Sequence, residues 1–181
     1  MKLILAVLII AMFSLIYSNL SNKLTGEVVS ERDLAAHWNF DTSPGVVEYD
    51  LSGQGSHAYL ENGAYTEIYS NERGKVLFLD GVDDYAYVHD KGTLDLSNRF
   101  TLAAWVFSNN EDSVGTIFSK EGLDIDTIKA YNLYVGKNLF GYKLSRDNNL
   151  EVAGISLEKW NHVAMTYDAF SEPNMKMYIN G

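Results

Sequence analysis

An all-β antiparallel sandwich is the fold class this sequence predicts, and three observations predict it. Short runs rich in Val, Ile, Tyr, Phe and Thr recur along the chain, Gly, Asn, Asp and Ser clusters separate them at regular intervals, and no stretch carries apolar residues at helical spacing. The segment from Leu77 to Phe107 organises the rest. Leu77 to Leu79 and Tyr85 to Val88 read as strands, with the turn Asp80-Gly81-Val82-Asp83-Asp84 between them. Thr93 to Ser97 carries the chain into one long strand. There Phe100, Leu102, Ala104 and Val106 face one way and Trp105 and Phe107 the other, so both faces need cover.

The other elements follow in order. Leu34 to Phe40 is the first strand, and Ser43-Pro44-Gly45 ends it. Val46 to Tyr49 precedes the loop Asp50 to Gly55, where two glycines permit unusual backbone angles and expose carbonyls. Short edge strands are expected within Ala58 to Ile68, and Asn71-Glu72-Arg73-Gly74 turns the chain into Lys75 to Leu79. Beyond the long strand, Gly115 to Lys120, Tyr131 to Val135, Phe140 to Leu144 and Val152 to Ile155 alternate with acidic or Asn-rich turns. Trp160 to Tyr167 is a second long strand, and Met175, Met177 and Ile179 alternate with Lys176 and Tyr178 in a last one. Asn180-Gly181 is the strongest two-residue hairpin signal, which predicts a returning strand and marks the sandwich as incomplete at its C-terminal side.

Composition bounds the function. With 181 residues, 46% hydrophobic, 12 Tyr, 8 Phe and 3 Trp, one domain can build its own core. A formal charge of −10 opposes non-specific nucleic-acid binding, which needs clustered Lys and Arg to replace phosphate counterions. The same acidity suits calcium, which prefers oxygen ligands. With no cysteine, neither a disulfide framework nor a thiolate metal site exists.

Three regions divide the chain. Residues 1–18 open with Lys2 and continue as an apolar run from Leu3 to Ile16, shorter than the ~20 residues a membrane span needs. The run reads either as a signal peptide or as an uncleaved anchor, the only membrane contact expected. Both place the domain outside the cytoplasm, secreted or at the cell surface. Residues 19–33 form a polar linker, and 34–181 form the domain.

Regular spacing alone does not separate a jelly roll from an immunoglobulin-like sandwich. Three sequence blocks do. The run from Phe78 to Phe107, the block Leu157 to Asp168 followed by Met177 to Gly181, and the upstream pair His37 to Asp41 and Asp50 to Gly55 stand in order across 34–181. Together they resemble the laminin-G-like domains of the concanavalin A-like lectin and glucanase group. The resemblance implies a two-sheet antiparallel jelly roll that serves in recognition, with a glycan or a cell-surface protein as ligand.

Signatures of catalysis are sparse. The sequence has no Gly-x-Ser-x-Gly elbow, no His-Glu-x-x-His and no Cys nucleophile, and its four histidines lack metal-ligand spacing. His162 lies on a strand and reads as a hydrogen-bonded core residue. Glucanases of the same broad fold align paired carboxylates along a strand. The nearest candidates here, Asp124 with Asp126 and Glu121 with Asp124, lie in an expected loop, where solvated acids are the plainer reading. A non-catalytic domain is therefore expected, with a glycoside hydrolase and a structural spacer as alternatives. A calcium ion held by Asp41, Asp50 and the carbonyl-rich Ser52-Gly53 is one possible chemistry, suggested by relatives that bind calcium near this loop. The competing reading is that Asp50 caps its own turn. Asp80, Asp83 and Asp84 read as a solvated turn. Core packing is expected for Trp105 and Trp160, while Tyr131, Tyr134 and Tyr142, near loop ends, are the candidates for an exposed ligand platform.

Overall fold

The computed structural model of the chain describes residues 3–11 (as backbone), 34–42, 45–109, 114–120, 131–136, 138–143 and 149–181. The expected all-β antiparallel jelly-roll sandwich is the fold observed. The strands are β1 (Leu3–Ala11), β2 (Leu34–Trp38), β3 (Val47–Glu48), β4 (Ala58–Glu61), β5 (Tyr65–Ser70), β6 (Gly74–Leu79) and β7 (Tyr85–Val88). After a 3-10 turn at Gly92–Leu94 come β8 (Arg99–Ser108), β9 (Val114–Lys120), β10 (Tyr131–Gly136), β11 (Leu139–Lys143), β12 (Asn149–Ala153), β13 (Trp160–Asp168) and β14 (Met175–Ile179).

Among the described residues the strands form three antiparallel sheets. The largest runs β14-β13-β8-β1-β6-β5, with β2 pairing β1 beyond the end of β6. A four-stranded sheet runs β12-β11-β10-β9, and a three-stranded sheet β3-β4-β7. Alternation builds the layer between them. Phe100, Leu102, Ala104 and Val106 on β8 and Val163 and Met165 on β13 are buried in one cluster with inward residues of both smaller sheets, such as Leu60, Leu133 and Phe140. Trp38 seals the bottom of this core, and its indole N–H donates to the Ser56 carbonyl at 2.8 Å. A fully buried indole needs such a partner.

One expectation is corrected here. Trp105 and Trp160 do not lie between the sheets. Strict period-2 alternation turns Trp105 away from Ala104 and Val106 and onto the outer face of the large sheet. There it is half-buried with Phe107 and Trp160. The Arg73 guanidinium, from the β5–β6 turn, covers both indoles at 4.2 and 4.9 Å. His162 shares that face, edge-on to Trp105 at 5.2 Å, so it is not a core histidine.

Part of the N-terminal apolar run also lies among the described residues. Its backbone from Leu3 to Ala11 is a strand between β8 on one side and β2 and β6 on the other, with Leu8 facing both Ala104 and Trp38. A run of Leu, Ile and Val suits a strand and a leader alike, since periodicity does not distinguish the two. The linker assigned to 19–33 lies outside the described residues. At the other end, Asn180 and Gly181 have φ of 57° and 103°, as the hairpin signal requires.

Candidate functional site

An open cleft of about 770 Å³ lies between the strands β7 and β9. The sequence Tyr85-Ala86-Tyr87-Val88 alternates, so Ala86 and Val88 pack against the core while both tyrosines face out. Across the opening, Gly115 and Ile117 of β9 are buried and Thr116 is exposed. Trp38, Phe40, Leu77, Leu94 and Tyr131 line the cavity as an apolar floor.

A cation closes one end. Lys120, the last residue of β9, donates to Asp90 at 2.7 Å and to Asp95 at 2.6 Å, tying the strand to the loop after β7. Burial alone would lower the lysine's pKa, but hydrogen bonds to the two carboxylates outweigh it and the pKa is raised. Lys120 thus stays charged. On the other side, Lys91 donates to the carbonyls of Gln54 and Gly55 at 2.9 and 2.7 Å, which anchors the 51–56 loop.

Beside the mouth runs an aromatic ladder. The β4–β7 register sets Tyr59 opposite Tyr87, and their rings stack at 5.4 Å. His89 stands edge-on to both, at 5.1 and 5.4 Å, and Tyr85 follows at 6.4 Å from Tyr87. Tyr85 is 47% and Tyr87 37% exposed, so ring area reaches solvent while the stack holds it in place. Flat apolar faces with polar tips match the alternating C–H and hydroxyl surface of a sugar.

Of the tyrosines expected to form a platform, Tyr131 and Tyr142 are in the core. Tyr131 stacks on Phe118 at 5.5 Å and its hydroxyl donates to the Leu94 carbonyl at 3.1 Å. Tyr142 is buried with its hydroxyl unpartnered, and burial raises the pKa of both phenols. β10 and β11 present these residues to the inner face, which nearness to a turn does not reveal. Tyr134 points out, but its ring crosses the bare backbone of Gly141, where a Cβ would collide with it. Its hydroxyl donates to Glu151 at 2.6 Å, and burial followed by that carboxylate pushes its pKa up to about 12. The ladder residues Tyr59, Tyr85, Tyr87 and His89 were the ones sequence reasoning missed. The alternation of 85, 87 and 89 was legible, whereas Tyr59 needed the register.

In the set considered for calcium, the carboxylates are engaged by the protein itself. Asp50 is buried, and its Oδ1 accepts from the backbone N–H of His37 and Ser52, both at 2.9 Å. Its Oδ2 accepts from Ser52 Oγ at 2.8 Å and the Ser56 N–H at 2.9 Å. A carboxylate has about four lone-pair sites, and all are engaged. Burial would raise the Asp50 pKa, but the hydrogen bonds from Ser52, Ser56 and His37 outweigh it and the pKa is lowered. Asp50 therefore caps its loop. Ser52 has its hydroxyl bound to Asp50 and accepting from the Gln54 N–H. Gly53, at φ 83°, makes the turn. Asp41 faces elsewhere, accepting from the Lys75 N–H at 2.7 Å beside Gly74, whose φ of 72° and contact with the carboxylate leave no room for a Cβ. Both carboxylates are thus held by protein donors.

Asp80, Asp83 and Asp84 do gather, with ligand atoms within 4.8 Å of one another. They serve their own turn: Asp80 accepts from the Val82 N–H at 2.7 Å, and Asp84 from the Asp80 N–H at 2.8 Å. The hydrogen bond from Val82 is the main cause of a lowered pKa at Asp80. Glu121, Asp124 and Asp126, the acids considered for hydrolysis, lie outside the described residues.

Comparison with known proteins adds one match. The family model Laminin_G_3, described as the concanavalin A-like lectin/glucanases superfamily, matches residues 80–181. No curated protein and no solved structure shows a significant match to the chain.

Proposed function

The chain belongs to the concanavalin A-like lectin/glucanases superfamily, and from that premise we propose that it is an exported, non-catalytic recognition module that binds a glycan. The observation that carries the reading is the exposed ladder of Tyr59, Tyr85, Tyr87 and His89 at the mouth of the cleft. Rings held by mutual stacking lose little side-chain freedom when a sugar docks, so their contact area is spent on affinity rather than on ordering. The neighbouring polar groups favour binding over hydrolysis. Asp90 pairs with Lys120 and Asp84 accepts from the Asp80 N–H, so both carboxylates are already engaged in contacts that hold the fold. Export rests on the apolar run Leu3 to Ile16 behind Lys2.

A glycan array identifies the ligand class, and titration calorimetry then compares the wild type with Tyr87→Ala. Removing one stacked ring forfeits about 0.5–1.5 kcal/mol, or roughly a 2- to 12-fold loss of affinity. Equal affinity of the two proteins would remove the ladder from the binding surface. Release of reducing ends from the bound glycan would overturn the non-catalytic reading.

A further inference from the structure

We propose that the cleft between β7 and β9 is a strand-acceptor site, which takes a short extended segment of a partner polypeptide, apolar at alternate positions and basic at the others. The inference goes beyond glycan recognition, and it concerns the backbone edges that border the cleft rather than the tyrosine rings at its mouth.

Both walls are sheet edges. Among the described residues β7 pairs only with β4, and β9 only with β10, so the far side of each carries backbone groups without a neighbouring strand. The cavity is bordered by consecutive residues, 84–88 on one wall and 114–120 on the other. Successive side chains of a strand point to opposite faces. A cavity that touches every residue in turn therefore runs along the backbone edge. Two facing rows of peptide N–H and C=O groups are matched by a third backbone, the geometry of strand addition. A sugar has no donors and acceptors at that repeat.

Size and polarity agree. One residue of an inserted strand fills about 160 Å³, from a rise of ~3.3 Å, a strand spacing of ~4.8 Å and a layer spacing of ~10 Å. The cleft of about 770 Å³ then holds roughly five residues. That length matches the four residues of β7 and the seven of β9. Trp38, Phe40 and Ile117 in the lining want apolar side chains facing inward. The rim is acidic: Lys120 is matched by both Asp90 and Asp95, and Asp84 adds a further negative charge, within a chain of net charge −10. Outward positions of the incoming strand therefore favour Lys or Arg.

The test uses the full chain and a fluorescein-labelled heptapeptide alternating lysine and valine, read by anisotropy. Two control peptides accompany it, one with glutamate for lysine and one N-methylated at alternate amides. Saturable binding by the first is expected, with at least a tenfold loss for each control. Hydrogen exchange should slow at Tyr85–Val88 and Val114–Lys120 when the first peptide is bound. Ala86→Trp, which fills the cleft from β7, should abolish binding. Binding that ignores N-methylation, protection at β5 or β14 instead, or unaltered binding in a folded Ala86→Trp variant would each overturn the proposal. Self-association of the chain that protects the same two edges without peptide would overturn it too, in favour of a second copy as the occupant.

Discussion

Glu48 is the most informative group to perturb. It lies on β3 with 0% exposure, its Oε1 accepting from Thr66 Oγ1 at 3.2 Å and its Oε2 buried without a partner. Burial raises its pKa to about 7; the Thr66 hydrogen bond and the Lys75 charge oppose the rise, and Asp41 adds to it. In the unfolded chain the same carboxyl titrates near 4.5. Folding therefore takes up a proton between pH 4.5 and 7, and stability is greatest below that window and falls as pH rises through it. At ~1.36 kcal/mol per pKa unit the full loss is about 3 kcal/mol. Glu48→Gln keeps the shape and removes the charge. Urea unfolding of both proteins at pH 4, 6, 7 and 8 should give nearly equal stabilities at pH 4. The variant's advantage should then grow to about 3 kcal/mol at pH 8. Any fixed cost of the amide shifts all four points together, so only the trend matters. A difference independent of pH would show that Glu48 is solvated in the native state and would refute the reasoning.

Asp50→Ala strips four donors of their shared acceptor and should cost about 3–5 kcal/mol in urea unfolding. The loss should be equal in calcium and in chelator, and a calcium-dependent loss would reinstate a metal at this loop. The contribution of Asp50, whose pKa is lowered, is present above its ordinary value of 3.8 and fades as pH falls below it. Asn161→Ala should cost about 2–3 kcal/mol. The buried amide donates to the Ser156 and Lys159 carbonyls at 2.8 and 2.9 Å and accepts from the Ser156 N–H. Amide exchange should quicken at Ser156 in that variant, and unchanged exchange there would refute the assignment. The place of β1 is testable because the chain has no native cysteine. Leu8→Cys with Ala104→Cys should form a disulfide under mild oxidation, as facing residues of paired strands do. Leu8→Cys with Leu102→Cys, out of register, should not. Failure of the first pair to cross-link in a folded chain would remove β1 from the sheet.

How much was legible beforehand depends on whether a property is local. Alternation within β8 assigned Phe100, Leu102, Ala104 and Val106 to one face, and the structure buries all four. Turn chemistry placed the breaks at Asp80–Asp84, Asn71–Gly74 and Asn180–Gly181, since a left-handed or tight backbone favours the same few residues in any context. Of the three sequence blocks that carried the family, the two downstream ones overlap the match over 80–181.

Alternation separates two faces of a strand without saying which meets the core, so only packing put Trp105 outside under Arg73 and Tyr131 inside against Phe118. Asp50 looked like a ligand because a carboxylate beside glycines suits either a cation or a ring of amides. The deciding donor, the His37 N–H, lies 13 residues away. The tyrosine ladder required β4 to pair with β7 in one register, and the cleft required two edges from different sheets to face each other. Pattern along the chain, set by backbone geometry, determined the elements. Contacts between distant segments, set by how those elements stack, decided which side chains are left to bind.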